Sequence, residues 1–146
     1  MYQIKEGLGF QLSYAARLIE RRFEEVLSPH KLTRLMWCTL VMVDHYAITK
    51  PSDMADYLGV DRTAISRVLR SLEKAGLIDR VKSEDDGRGR DVFVTGEARA
   101  KLAALMPHAG ETARHFSSKL SEAEEQELKR LLAKLSSGEA RETSGI

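Results

Sequence analysis

The chain has 146 residues, 42% hydrophobic and 31% charged, and its 23 lysines and arginines nearly balance 22 aspartates and glutamates, giving a formal net charge of +1. This length can bury one compact core or two small lobes, and the near-neutral sum argues against a uniformly basic nucleic-acid binder, although it can hide an uneven distribution. One cysteine excludes an intramolecular disulfide framework. The sequence has no signal-peptide pattern and no apolar run of about 18 residues, so we expect a soluble, cytoplasmic protein with no membrane partner.

The first third of the chain predicts three helices. Apolar residues at steps of three and four indicate one long helix over residues 1–29. Thr33 is the expected N-cap of a second helix, which is apolar on more than one side and should be packed on most of its circumference. A short third helix begins at Pro51, with Ser52 as its expected cap and Gly59 at its end.

The middle of the chain changes from a helical to a β period. Asp61 is expected to cap a fourth helix that runs to Gly76. Two short β-leaning runs, over residues 77–82 and 91–94, then flank a polar segment that contains glycine. This arrangement predicts a β-hairpin with a long tip.

Two further helices complete the chain. Thr95 is the expected cap of the fifth helix, which Pro107 should kink. The sixth helix begins at Ser121, where the sequence has the pattern of a capping box. Residues 137–146 are small and polar and should form a flexible tail. The predicted fold class is therefore mainly α with a small β-hairpin wing.

The third and fourth helices and the hairpin have the order of a helix-turn-helix followed by a wing. The fourth helix carries two stripes that are displaced by two residues, which at about 100° per residue places them on opposite sides. The apolar stripe is Ile65, Val68, Leu69 and Leu72, and the polar stripe is Thr63, Ser66, Arg67 and Arg70. Arginine can bind guanine or phosphate with two hydrogen bonds, and hydroxyls can bind phosphates or base edges. The polar stripe is therefore predicted to contact DNA.

Arginines next to this stripe strengthen the prediction. Arg62 lies beside the N-cap of the fourth helix and is a candidate phosphate contact, and Arg88 and Arg90 flank Gly89 in the hairpin tip. Arginine enters minor grooves because the electrostatic potential is most negative there. A polar helix face is usually only solvated, and a helix-turn-helix pattern alone gives many false positives. The two wing arginines favour DNA over that alternative.

These segments resemble the MarR family, named after regulators of multiple antibiotic resistance. The sequence Asp86-Gly87-Arg88 followed by Thr95 is similar to the family's D-x-R…L-T wing pattern, with Val94 where leucine is usual. Residues 32–40 resemble the L-T-x-x-x-W-x-x-L motif of the family's second helix, and residues 58–80 resemble its DNA-binding core. The resemblance extends over nearly the whole chain.

The resemblance implies a winged helix-turn-helix transcriptional regulator, a repressor that binds double-stranded DNA as a homodimer. It divides the chain into dimerisation helices over residues 1–30 and 96–136 and a DNA-binding lobe over residues 31–95. The apolar stripes of the first, fifth and sixth helices separately favour a dimer, because the small lobe cannot cover them alone. A two-fold dimer would place two recognition helices about 34 Å apart on a pseudo-palindromic operator.

The resemblance also assigns roles to individual residues. Thr63, Ser66 and Arg67 would meet the major groove, Arg88 would enter the minor groove, and Asp86 would hold the wing arginine in place. Asp86 is otherwise read as an ordinary turn residue.

A small aromatic or phenolic acid is the effector that the resemblance implies, because many members of the family release DNA when such a molecule binds between the dimerisation helices and the DNA-binding lobe. Candidate contacts are Tyr14, Arg17, Trp37, His45 and Tyr46. Arg17 or His45 could meet the carboxylate. Trp37 also fits a core position of the second helix.

Other functional classes find less support in the sequence. Cys38 could make the protein a thiol-responsive regulator, but its place in an apolar helix favours a buried structural thiol. The four histidines are scattered, so we predict no metal and no cofactor. No catalytic motif is recognisable, so we predict that the protein is not an enzyme. A winged-helix module that binds another protein stays open, although the arginines of the fourth helix and the wing favour DNA.

Overall fold

The computed structural model describes residues 1, 3–82 and 89–139 of the chain. In this part the predicted fold class is confirmed, with six α-helices and one two-stranded antiparallel sheet. The elements are α1 (Leu8–Leu27), α2 (Arg34–Tyr46), α3 (Pro51–Leu58), α4 (Arg62–Lys74), β1 (Ile78–Lys82), β2 (Arg90–Val94), α5 (Gly96–Ser117) and α6 (Glu122–Ser136). None of the described helices is both long and apolar enough to cross a membrane.

The predicted first helix is shorter than residues 1–29. A separate 3₁₀ turn, Ile4–Glu6, precedes α1, and a second one, Ser28–His30, follows it. Pro29 has no N–H to donate and restricts the residue before it, so the α-helical hydrogen bonding ends there. In α5, by contrast, the helix continues through Pro107 to its end.

Four of the predicted helix caps are confirmed, and one is wrong. The confirmed caps are Thr33, Asp61, Thr95 and Ser121. Each accepts a hydrogen bond from a backbone N–H of the first turn, such as that from Ala64 to Asp61 at 2.7 Å. Ser52 is not a cap, because Pro51 occupies the first helical position and moves the boundary to Lys50, which makes no side-chain cap bond.

The core is built around α2, as its apolar circumference predicts. Six residues of this helix are buried, and α2 packs against α1, α4, β2 and the first half of α5. Leu40 of α2, Ile65 of α4 and Val92 of β2 are completely inaccessible to solvent. This packing fixes α4 and the hairpin on one common support.

The two strands pair in register from Ile78 opposite Val94 to Lys82 opposite Arg90. The other edge of β2 is also held, because the backbone N–H of Val92 donates to the carbonyl oxygen of Thr49, at 2.9 Å. Thr49 lies in the connector between α2 and α3. The hairpin is therefore anchored on both sides at its base.

Candidate nucleic-acid interface

The fourth helix separates an apolar face from a polar one, as the two stripes predict. Ile65, Leu69 and Leu72 are at most 1% exposed. Thr63, Ser66, Arg67 and Arg70 are all exposed on the opposite side. The helix is thus fixed by its buried stripe and presents two hydroxyls and two guanidinium groups to solvent.

The cations of this helix are free to bind an anion. Arg62, Arg67, Arg70 and Lys74 are exposed and form no ion pair with another residue of the described chain. Arginines of other elements are paired, for example Arg99 with Asp44 at 3.1 Å and Arg130 with Glu127 at 2.6 Å. Unpaired, exposed cations on a rigid helix raise the local positive potential and attract polyanions.

The far end of the described hairpin carries a second pair of cations that form no ion pair with another described residue. Lys82 and Arg90 lie directly opposite each other in the strand register, and both are exposed. Like charges in this position destabilise a hairpin by about 0.2–1 kcal/mol, so the pair is better explained by an external anion than by folding. Sequence reasoning missed Lys82, because it places the start of the second strand at Asp91 and leaves Arg90 in the tip.

Gly89 adopts a left-handed backbone conformation, with φ at +69°, which favours glycine over residues with a side chain. Two predicted wing residues, Asp86 and Arg88, fall in residues 83–88, outside the described part of the chain. Their roles stay predictions.

The end of α4 is tied to the hairpin and to α5 by one short junction. Gly76 has φ at +74° and turns the chain out of the helix. The Thr95 hydroxyl donates to the Gly76 carbonyl oxygen at 2.8 Å, and the Thr95 N–H donates to the Leu77 carbonyl oxygen at 3.0 Å. These bonds fix the recognition surface of α4 relative to the hairpin that follows it.

Comparison with known proteins agrees with this architecture. The sequence profile of the MarR family matches residues 32–89. The HTH-type transcriptional repressor Rv2887 of Mycobacterium tuberculosis is 30% identical over 132 residues, which cover 89% of this chain and 94% of the relative. The chain belongs to the MarR family. It is thus a DNA-binding transcriptional regulator with a winged helix, as the sequence predicts.

Solved structures of this family superpose on most of the chain. A mutant of MarR from E. coli complexed with operator DNA is 25% identical, with a TM-score of 0.83, and the match covers 92% of this chain and 99% of that one. The complex of Rv2887 with salicylic acid is 26% identical, with a TM-score of 0.64, and the match covers 88% of this chain and 96% of that one.

The candidate effector contacts of this MarR-family protein lie in different environments. Trp37 is 6% exposed and packs edge-on against Phe23, with ring centroids 5.5 Å apart, which favours a core role. Tyr14, Arg17, His45 and Tyr46 are exposed. These four are available to a ligand, whereas Trp37 is already covered.

The Cys38 thiol is half-buried beside the core. Burial raises its pKa, although the nearby Arg34 opposes the shift. A raised pKa lowers the fraction of reactive thiolate, so the structural role is favoured over redox sensing. Within the described residues, no group of three or more histidines, cysteines and acidic residues could hold a metal ion.

Proposed function

We propose that this protein is a homodimeric repressor that binds a pseudo-palindromic operator through two copies of α4 and the wing. The observation that carries the proposal is the set of exposed cations on α4 and at the end of the hairpin, none of which forms an ion pair with another described residue. The two parts suit different grooves, because a helix fits the major groove and an arginine-bearing wing can reach the adjacent minor groove. The E. coli relative complexed with operator DNA supports the same partner.

The proposed contacts follow from position on these elements. Thr63, Ser66 and Arg67 face the base edges, and Arg62 and Arg70 contact phosphates. At the wing, Arg88 and Arg90 enter the minor groove, and Asp86 positions Arg88.

The homodimer is supported by the last helix, α6. This helix has no buried residue. Even its four apolar leucines are each 39–49% exposed, at positions 128, 131, 132 and 135. An isolated helix of its length, 15 residues, is marginal in water, so α6 needs a partner surface.

The first helix adds to this apolar surface, which supports residues 1–30 and 96–136 as the dimerisation region. Its exposed hydrophobic side chains include Leu8, Tyr14, Leu18 and Ile19. Ile19 also lines an open hollow of about 400 Å³ together with Phe116, Leu120 and Leu128. We infer that a second copy of the chain covers both helices and fills this hollow.

We further propose that a small aromatic acid releases the protein from DNA. The complex of Rv2887 with salicylic acid supports this class of ligand. Tyr14, Arg17, His45 and Tyr46 are the candidate contacts, and Trp37 would support them from the core. The corresponding test adds salicylate to the protein–DNA complex. Release of DNA and a higher melting temperature are expected, and the absence of both effects would refute an effector of this class.

The main test is a gel shift with duplexes from the region upstream of the protein's own gene, together with sedimentation of the free protein. We expect a dimer in solution and a shift that withstands competition by random duplex. A monomer, or no shift even at low salt, would refute the proposal and favour a module that binds another protein.

A further inference from the structure

The base of the wing carries a side-chain contact that the DNA-binding surface does not use directly. The Thr49 hydroxyl donates to Asp91 Oδ1 at 3.3 Å, beside the backbone bond from the Val92 N–H to the Thr49 carbonyl oxygen at 2.9 Å. We call these two bonds the wing clasp. Thr49 and Asp91 are both half-buried and lie 42 positions apart in the sequence.

The clasp adds a directional side-chain contact to the other connections between the wing and the rest of the lobe. Among the described residues these include the burial of Ile78, Val92 and Val94 in the core and the bond from the Thr95 N–H to the Leu77 carbonyl oxygen. A further connection runs from Arg80 of β1 to Glu73 of α4, whose Nε and Oε2 atoms are 3.8 Å apart, which is too long for a hydrogen bond. The Nε and Nη2 atoms of Arg80 are also buried with no hydrogen-bond partner in the described chain. An ion pair of this kind constrains distance but not angle, so it cannot replace the clasp in orienting the outer edge of β2.

The position of Asp91 gives the clasp an electrostatic role as well. Asp91 directly follows Arg90, and adjacent strand residues point to opposite faces, so the carboxylate and the guanidinium group point apart. Asp91 forms no ion pair with another described residue. A carboxylate released from Thr49 would be free to turn towards the phosphates that Arg90 is proposed to approach, and it would repel them.

We propose that Thr49 and Asp91 are positioning residues for the wing, and that the clasp sets the angle at which Arg90 approaches the DNA. This inference rests on the proposed DNA-binding function. The buried Ile78, Val92 and Val94 keep the base of the hairpin in the core, so loss of the Thr49 hydroxyl should loosen only the outer edge of β2 at Arg90 and Asp91. The resulting loss would fall on the wing contacts and leave the major-groove contacts of α4 in place.

The test compares Thr49→Val, which removes the hydroxyl at nearly constant volume, with Thr49→Ser, which keeps it. Thr49→Val should weaken operator binding about three- to tenfold, the effect of one hydrogen bond, whereas Thr49→Ser should bind like the wild type. The slope of affinity against salt should fall by about one unit in Thr49→Val only. Thr39→Val is the matched control, because it removes a hydroxyl that donates within α2, to Leu35 at 2.8 Å, far along the chain from the wing.

A second measurement reports the clasp without DNA. The Val92 amide should exchange its hydrogen faster in Thr49→Val than in the wild type or Thr49→Ser, because the backbone bond loses its neighbour. An unchanged salt slope in Thr49→Val, or equal losses in Thr49→Val and Thr49→Ser, would overturn the positioning role. Failure of the wild-type protein to bind any duplex would instead refute the DNA-binding proposal, and the exchange rate of Val92 would still show whether the clasp holds the wing base.

Discussion

Two helices of similar length, α4 and α6, distribute their side chains in opposite ways. In α4 the leucines are buried, and the cations are exposed and form no ion pair with another described residue. In α6 the leucines are exposed, while Lys129 and Arg130 are paired with Glu125 and Glu127. A helix that neutralises its charges and exposes its leucines suits an apolar partner, and one that buries its leucines and leaves its cations free suits a polyanion. Substitutions in α6 should therefore affect the dimer, and substitutions in α4 should affect DNA binding.

The largest effect is expected where a charge enters the leucine surface of α6. Leu131→Asp would bury an unpaired carboxylate in the proposed dimer, at a cost of several kcal/mol, so the dimer dissociation constant should rise by about a thousandfold. Sedimentation velocity would show the monomer, and operator binding should fall with it. Gln126→Asp is the matched control, because position 126 lies on the opposite side of the same helix and should leave the dimer intact. A stable Leu131→Asp dimer would remove α6 from the interface.

The next effect is expected on the polar face of α4. Arg67→Ala should weaken operator binding by about 1–3 kcal/mol, or roughly five- to 150-fold, because a bidentate contact to a base is lost. Binding to random duplex, which depends on phosphates, should fall much less. Arg130→Ala removes a paired arginine of α6 and serves as the control. If Arg67→Ala lowered the affinity for operator and for random DNA equally, Arg67 would contact a phosphate and not a base.

A smaller effect is expected at the wing, where one substitution should weaken DNA binding and at the same time stabilise the folded protein. Arg90→Ala should lower the salt slope of DNA binding by about one unit, on specific and random duplexes alike. The same substitution removes the like charge opposite Lys82 and should raise the free energy of unfolding by about 0.2–1 kcal/mol. Lys82→Ala should stabilise the hairpin in the same way. If Arg90→Ala lowered the melting temperature, the arginine would have a structural role instead.

The smallest effect concerns the start of α6 and its dependence on pH. Two hydrogen bonds with Ser121 lower the pKa of Glu124. The bond to the Ser121 backbone has the larger effect, and the bond to its side chain has the smaller one. Because the folded-state pKa is depressed, this stabilisation is present above the pKa of an unfolded glutamate and is lost as the pH falls through the lowered value. The dimer should therefore weaken in acid by a smaller amount in Glu124→Gln than in the wild type. Identical acid profiles would show that the cap does not contribute to the dimer.

Local rules predicted most of the fold. Each confirmed cap, such as Asp61, acts on a backbone N–H within its own first turn, and the two stripes of α4 follow from helical spacing alone. The error at Ser52 is also local, because the proline before it takes the first helical position. These features need only a few neighbouring residues.

Features that depend on distant parts of the chain could not be predicted in this way. The opposition of Lys82 and Arg90 depends on the strand register, which a long hairpin tip does not specify. The contact between Thr49 and Asp91 joins a connector to a strand across the folded lobe. The arginines of the candidate site were recognised from their spacing, whereas the residues that support the wing became evident only in three dimensions.

The Thr95 hydroxyl has a consequence for movement between the two parts of the protein. It accepts a hydrogen bond from the Ala98 N–H at 3.3 Å and donates one to the Gly76 carbonyl oxygen, so one atom joins the first turn of α5 to the end of α4. While both hydrogen bonds are made, the start of α5 and the end of α4 are coupled and should move together. In the proposed dimer, a tilt of α5 would therefore move α4 as a whole and change its distance from the α4 of the second copy without bending it.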